Sequence, residues 1–215
     1  MMDIEIRNLS KAFGDKIIFE DFSLTLRDSG LYGLTAPSGR GKTTLLRLLM
    51  GLLPPDAGSI TPGVRYSAVF QTDRLLPNKN PVDQLLFVFG KRRDRNELEN
   101  PVGADDHIGP HPGRRDRDAA RAFLTGLLPE ESLDQPVNEL SGGMQRRVAI
   151  ARALWADSDA VLMDEPFTGL DETTLRHTAD FILANRNGRT LLLSTHQKEL
   201  LEAYPFTWLT LPDPR

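Results

Sequence analysis

No cysteine occurs among the 215 residues, which excludes disulfides and thiolate metal sites and is compatible with a cytosolic setting. There is no basic excess either. Lys and Arg number 26 against 30 Asp and Glu, a formal charge of −4, so the counterion-release term that binds DNA or RNA has little to work with. Nucleic acid is therefore not an expected partner. No apolar run approaches the roughly 18 residues that a membrane span needs. The N-terminal "MMDIEIRN" lacks the basic start and apolar stretch of a signal peptide. If the protein works at a membrane, another chain must supply the spans. Internal repeats and heptads long enough for a coiled coil are also missing.

What is present is a 40% hydrophobic chain, long enough for one large domain or one domain with a small subdomain. Residues 3–8 and 22–26 alternate polar and apolar, as half-buried strands of an antiparallel layer do. "GLYGLT" (30–35) is a more continuously apolar run that suits a buried central strand. It leads through a glycine-bearing loop into "KTTLLRLLMGLL", whose leucines, Leu52 included, form a broad helical face stopped by Pro54 and Pro55. Further strands are predicted at 66–70, 160–163, 190–194 and 206–211. Helices are predicted at 82–89, from Arg117, at 142–155, at 173–185 and from Gln197. Between them, residues 91–118 carry seven basic and seven acidic side chains, six Pro plus Gly and no aromatic residue. Too little apolar surface is available there to offset the ordering entropy, so an exposed or mobile insertion is expected. Strands alternating with helices in both halves, around a mostly helical middle, predict an α/β core with an inserted helical subdomain. The core takes in 1–72 and 156–215, and the helical subdomain 73–155. The chemistry is then expected at the carboxyl ends of the central strands.

At that position stands "LTAPSGRGKTTLL". A phosphate cradle needs glycines where the backbone approaches the anion, and a helix N-terminus beneath it. Gly39 and Gly41 supply the first and the helix from Lys42 the second. Lys42 can reach the β- and γ-phosphates of a nucleotide, and the Thr43 hydroxyl is placed to ligand Mg²⁺. "DAVLMDEP" then runs from an apolar strand into two carboxylates. Asp164 can hold the Mg²⁺ water shell opposite Thr43, while Glu165 orients or deprotonates the attacking water. Taken alone, Asp-Glu-Pro is also an ordinary strand-ending turn. In "LSGGMQRR", Ser141 and Gly142 open a helix and make a second anion-binding surface. One cradle is enough for one nucleotide, so the second points to a nucleotide held across an interface.

In this order the motifs resemble the ATP-binding subunits of ABC transporters over nearly the whole chain. "APSGRGKTT" is similar to the Walker A loop of that family and "VFQTDRL" to its Q-loop. "LSGGMQRR" resembles its signature motif, "VLMDEP" its Walker B strand, "GLD" its D-loop and "STH" its switch histidine. The resemblance implies a P-loop NTPase core of the ABC ATPase type with an N-terminal antiparallel β layer. It implies that Ser38, Gly39, Arg40, Gly41, Lys42, Thr43 and Thr44 line the ATP triphosphate and that Phe13 stacks on adenine. Gln71 would complete the metal and water shell with Thr43 and Asp164, Glu165 would be the catalytic carboxylate, and His196 would contact the γ-phosphate. Ser141, Gly142 and Gly143 would act on the ATP of the opposite subunit, and Asp171 would lie at the dimer interface.

Two departures stand out. Ala36 replaces the usual opening glycine, a methyl that the loop tolerates if its φ stays negative. Arg40 adds a positive charge that either assists the phosphates or faces solvent. The implied function is that of an ATPase using ATP and Mg²⁺ at the cytoplasmic face of the membrane. Its implied partners are a second copy or related subunit, transmembrane permease subunits and, through them, a substrate-binding protein. "FQTDRLLP" resembles the importers of taurine, sulfonate and nitrate. An exporter subunit and a soluble non-transport ABC ATPase are the alternatives.

Overall fold

Alternating burial folds the N-terminus into a long hairpin. The computed structural model of the protein describes residues 3–37, 39–89 and 114–212. Strand β1 (Ile4–Phe13) turns at Gly14, whose φ of 57° is open to a residue without Cβ, and pairs antiparallel with β2 (Lys16–Leu26). β3 (Leu31–Thr35) follows, then helix α1 (Lys42–Leu49), β4 (Ala57–Ile60) and β5 (Tyr66–Val69). After α2 (Pro81–Phe89), α3 (Arg114–Thr125) and α4 (Gly142–Trp155), the chain forms β6 (Ala160–Asp164), α5 (Glu172–Asn185), β7 (Thr190–Ser194) and β8 (Thr207–Thr210). The antiparallel sheet has the order β2-β1-β4, and the second sheet, β5-β6-β7-β3-β8, is parallel at every pairing.

These elements fall into two compact units, Met1–Asp73 with Ser158–Arg215, and Arg74–Asp157. In the first, β6 and β7 are buried along their whole length, as parallel strands covered on both faces must be. One core joins Ile4, Leu9 and Phe19 of the antiparallel layer to Leu45 and Leu46 of α1 and Leu162 and Leu192 of the parallel sheet. Burial of that apolar surface fixes α1, and with it the loop before it, onto the ends of β3, β6 and β7. In the second unit α2 packs on α3 and α4 around Leu85, Leu124 and Val148. Arg121 there clamps both Asp134 oxygens at 2.8 Å, a bidentate pair at the surface.

Four expectations need correction. Helix α1 ends at Leu49, before the prolines: Gly51 takes φ 66°, its amide reaches the Leu48 carbonyl at 3.0 Å and that of Leu52 the Arg47 carbonyl at 2.9 Å. This is a left-handed glycine stop, and it turns Leu52 out to 58% exposure instead of onto the helix face. The edge strand β4 was not expected, since its four residues show no alternation and Gly58 weakens the pattern. The predicted helix from Gln197 is only a 3₁₀ turn, Lys198–Leu201. Finally, α3 begins at Arg114, inside the polar stretch 91–118, of which residues 91–113 lie outside the described residues.

Asp56, just before β4, takes the Lys11 ammonium on Oδ1 at 2.6 Å and the Ala12 amide on Oδ2 at 2.8 Å. These partners, Lys11 first, hold its carboxyl below the ordinary value of 3.8. A carboxyl depressed by folding stabilises the fold above its unfolded pKa and loses that contribution as pH falls through the folded one. Wild type is therefore expected to melt higher than Asp56→Asn at pH 7. In thermal melts at falling pH the gap should close below the ordinary value of 3.8.

Candidate active site

The ends of β3, β6 and β7 lie level because their registers pair Leu34 with Ser194 and Asp164 with Ser194. The loops at those ends, together with Phe13 and Gln71, line one cleft of about 400 Å³, to which they bring residues 39–44, Asp164, Glu165 and His196. Sequence reasoning had selected all of these. Ser38 lies outside the described residues. Lys16, paired with Phe13 across the β1–β2 turn, also lines the cleft and was missed, because nothing local marks an exposed hairpin lysine as different from any other.

The loop from β3 to α1 has the backbone of an anion cradle. Gly39 and Gly41 take φ of 79° and 86°, and a Cβ on Gly41 would stand 2.6 Å from Ile18 Cγ2. Ala36 is absent from the positive-φ positions, so its methyl is unstrained, and its carbonyl accepts from Lys42 Nζ at 2.5 Å. Lys42 opens α1 and is only 7% exposed. Its ammonium also meets His196 Nε2 at 3.1 Å and Glu165 Oε1 at 3.6 Å.

Asp164 and Glu165 have different surroundings. Asp164 is buried, with Oδ2 accepting from the Thr43 hydroxyl at 2.6 Å and Oδ1 from the Ser194 hydroxyl at 2.7 Å. Glu165 turns away with φ 51°, a left-handed conformation that few non-glycine residues adopt. Its Oε2 accepts from the His196 amide at 3.2 Å. Its Oε1 is buried, 3.0 Å from His196 Nε2 and 3.6 Å from Lys42 Nζ. His196 keeps half its side chain exposed at the mouth of the cleft. Phe13, also 50% exposed, presents its ring there, with Lys11 Nζ 5.6 Å from the ring centroid.

A divalent ion fits this donor set if it is small and hard. Among the described residues no three acidic or His side chains cluster to hold a metal by themselves. The adjacent oxygens of Thr43 and Asp164, with Gln71 beside them in the cleft, suit Mg²⁺, which takes one or two protein ligands and fills its shell with water and phosphate oxygens.

Two predicted residues also cap helices, and sequence reasoning had read only the first of these caps. Ser141, in the second unit, caps α4 by accepting the Met144 amide at 3.3 Å, with Gly142 and Gly143 in the first turn. Asp171 caps α5, taking the Thr174 amide at 2.9 Å and the Thr174 hydroxyl at 2.7 Å, and that hydroxyl leads the causes holding its carboxyl below the ordinary range. The cap was readable in "LDETT", where an Asp precedes an acidic first turn.

The ABC transporter family pattern matches residues 19–168. The chain belongs to that family. It is 36% identical over 195 residues to the aliphatic sulfonates import ATP-binding protein SsuB 1 of Nocardia farcinica, covering 90% of this chain and 71% of that one. It is also 36% identical over 217 residues to the Nod factor export ATP-binding protein I of Burkholderia lata, covering 93% of this chain and 64% of that one. The chain thus spans somewhat less than two thirds of that relative's length, and 56% of the Nod factor protein of Sinorhizobium fredii. In structure it is similar to a dimeric bacterial ABC transporter cassette (TM-score 0.78, 24% identity, 99% of this chain and 97% of that one). A cassette in a post-hydrolysis state bound to ADP and Pi has the same fold (TM-score 0.75, 22% identity, 99% and 97%). The fold is therefore the P-loop NTPase core of ABC cassettes, with its antiparallel layer and a helical unit.

The two ends of the loop should respond differently to one methyl. Ala36→Gly is expected to change the affinity for a fluorescent ATP analogue by less than about tenfold, ~1.4 kcal/mol. Gly41→Ala, strained at φ 86° and pressed against Ile18, is expected to lose more than that in the same titration.

Proposed function

We propose that the chain is the ATP-hydrolysing, energy-coupling subunit of an ABC transporter, working as a head-to-tail dimer beneath a separate membrane permease. The observation that carries this reading is the convergence of Lys42, Thr43, Asp164, Glu165 and His196 on one cleft at the strand ends. Phe13 would receive the adenine face, and the cradle of Gly39, Arg40, Gly41, Lys42, Thr43 and Thr44 the phosphates. Thr43, Asp164 and Gln71 would hold Mg²⁺, which, when bound, neutralises charge building on the phosphoryl oxygens. Glu165 would take the proton of the attacking water on its carboxylate. Lys42 and His196 would hold the γ-phosphate oxygens, drawing both away from that carboxylate. Ser141, Gly142 and Gly143 would face the nucleotide of the opposite subunit, a second copy or a relative.

No helix among the described residues is long and apolar enough to cross a membrane, which agrees with a subunit that borrows its spans. Its place would be the cytoplasmic face of the membrane, under permease subunits and, for an importer, in reach of a substrate-binding protein through them. Import of a small solute is supported by "FQTDRLLP" and by the sulfonate-importing relative. The equally similar Nod factor exporters favour the opposite direction.

The deciding experiment is Glu165→Gln in a steady-state assay. Hydrolysis should fall by about 10²- to 10⁴-fold, the size of a general-base contribution, while ATP affinity is retained. A variant turning over near the wild-type rate would sink the assignment of Glu165, and a wild-type protein without Mg²⁺-dependent hydrolysis would sink the reading of the cleft.

A further inference from the structure

Ser194 is wholly buried at the last position of β7. The three residues before it are leucines, as a central strand demands, and polarity returns only where the register puts the strand opposite Asp164. A buried hydroxyl there must be satisfied, and it is satisfied twice, by the two acidic residues of the cleft. Its proton goes to Asp164 Oδ1 at 2.7 Å, and its lone pair takes the Glu165 amide at 2.9 Å.

Each bond has a consequence for the chemistry. With Oδ1 held by Ser194 and Oδ2 by Thr43, the Asp164 carboxylate has one orientation, and it faces the hydroxyl with which it would share a metal. With its amide held, Glu165 stays at φ 51°, a conformation that persists only where its surroundings enforce it. That turn brings the Glu165 side chain to the His196 amide, two residues beyond Ser194 itself. One hydroxyl therefore sets the metal carboxylate and the water-activating carboxylate relative to each other. We propose that Ser194 is a positioning residue for the hydrolysis, acting on metal affinity through Asp164 and on turnover through the Glu165 backbone.

This inference rests on the cleft being an MgATP site, and the test separates the two. Mn²⁺ replaces Mg²⁺, and its affinity in the presence of a non-hydrolysable ATP analogue is read by electron paramagnetic resonance. ATP affinity is measured in EDTA, and kcat and KM in steady state. For Ser194→Ala, Mn²⁺ affinity and kcat should each fall about 10- to 100-fold, the usual effect of removing an outer-shell partner. Metal-free ATP affinity should stay within about threefold, while the KM for MgATP should rise in step with the lost metal affinity, about 10- to 100-fold. Ser194→Thr, which keeps the hydroxyl, should recover both losses to within about threefold. Thr190→Val is the control: it removes another buried hydroxyl of β7, bonded to the Arg27 carbonyl at 3.2 Å far from the cleft, and should lower the melting temperature alone. The proposal is overturned if Ser194→Ala keeps wild-type metal affinity and kcat. It is equally overturned if Ser194→Thr loses as much as Ser194→Ala, or if Ser194→Ala loses metal-free ATP binding, since the hydroxyl would then serve packing. Absence of Mg²⁺-dependent hydrolysis in the wild type would instead remove the reading beneath it.

Discussion

Lys42 is a cation buried at the wrong end of a helix, and much of the cleft is arranged to meet that condition. Its ammonium is 7% exposed at the first position of α1, where unpaired amides already make the helix end positive. Removing such an ion from water costs on the order of several kcal/mol before any partner is counted. The Ala36 carbonyl at 2.5 Å, His196 Nε2 at 3.1 Å and the Glu165 carboxylate at 3.6 Å are the partners that meet it. A buried ammonium at a helix N-terminus would suit an anion with several oxygens, which supports the phosphate site proposed for this cleft.

The geometry that brings those acceptors together belongs to the parallel sheet. Because β6 and β7 pair Asp164 with Ser194, and β3 and β7 pair Leu34 with Ser194, three loops emerge at one height. Thr195, just past β7, donates its amide to the Leu34 carbonyl at 3.2 Å, so the histidine loop is tied to the strand that carries the phosphate loop. A slip of one residue would move every side chain of β7 to the other face of the sheet and expose its leucines to the wrong neighbours. The core leucines therefore protect the site: the burial that stabilises β7 also fixes where His196 begins.

This division explains what could be read before the structure was known. Lys42, Thr43 and the glycines announce themselves locally, since a strand, a glycine loop and a helix start are contiguous in sequence. Likewise α4 was placed to the residue at Gly142–Trp155, because a serine cap and an unbroken apolar face mark both ends. Ser194 and Asp56 were not found, and each depends on a partner far along the chain: 30 residues for Ser194 and Asp164, and 45 for Asp56 and Lys11. A serine before a histidine carries no sign of the carboxylate opposite it. The over-long α1 has another cause. Leucines continued the helical period past Leu49, and the left-handed preference of Gly51 outweighed them.

Ser141 raises a last question of chemistry, because the proposed function asks a residue that already caps its own helix to bind another subunit's phosphate. The two tasks use different parts of one hydroxyl. Capping draws on an oxygen lone pair, which accepts the Met144 amide at 3.3 Å, and leaves the proton to be donated elsewhere. The bond is long and Ser141 is exposed, so the oxygen can turn toward an incoming anion with little loss to the helix. Gly142 and Gly143 keep the approach clear, and a Cβ on Gly142 would meet no atom within 4 Å. Asp171 is built the other way, with both oxygens committed to Thr174. It is a carboxylate held rigid and charged at the start of α5, suited to meeting a donor on another surface rather than to moving toward one.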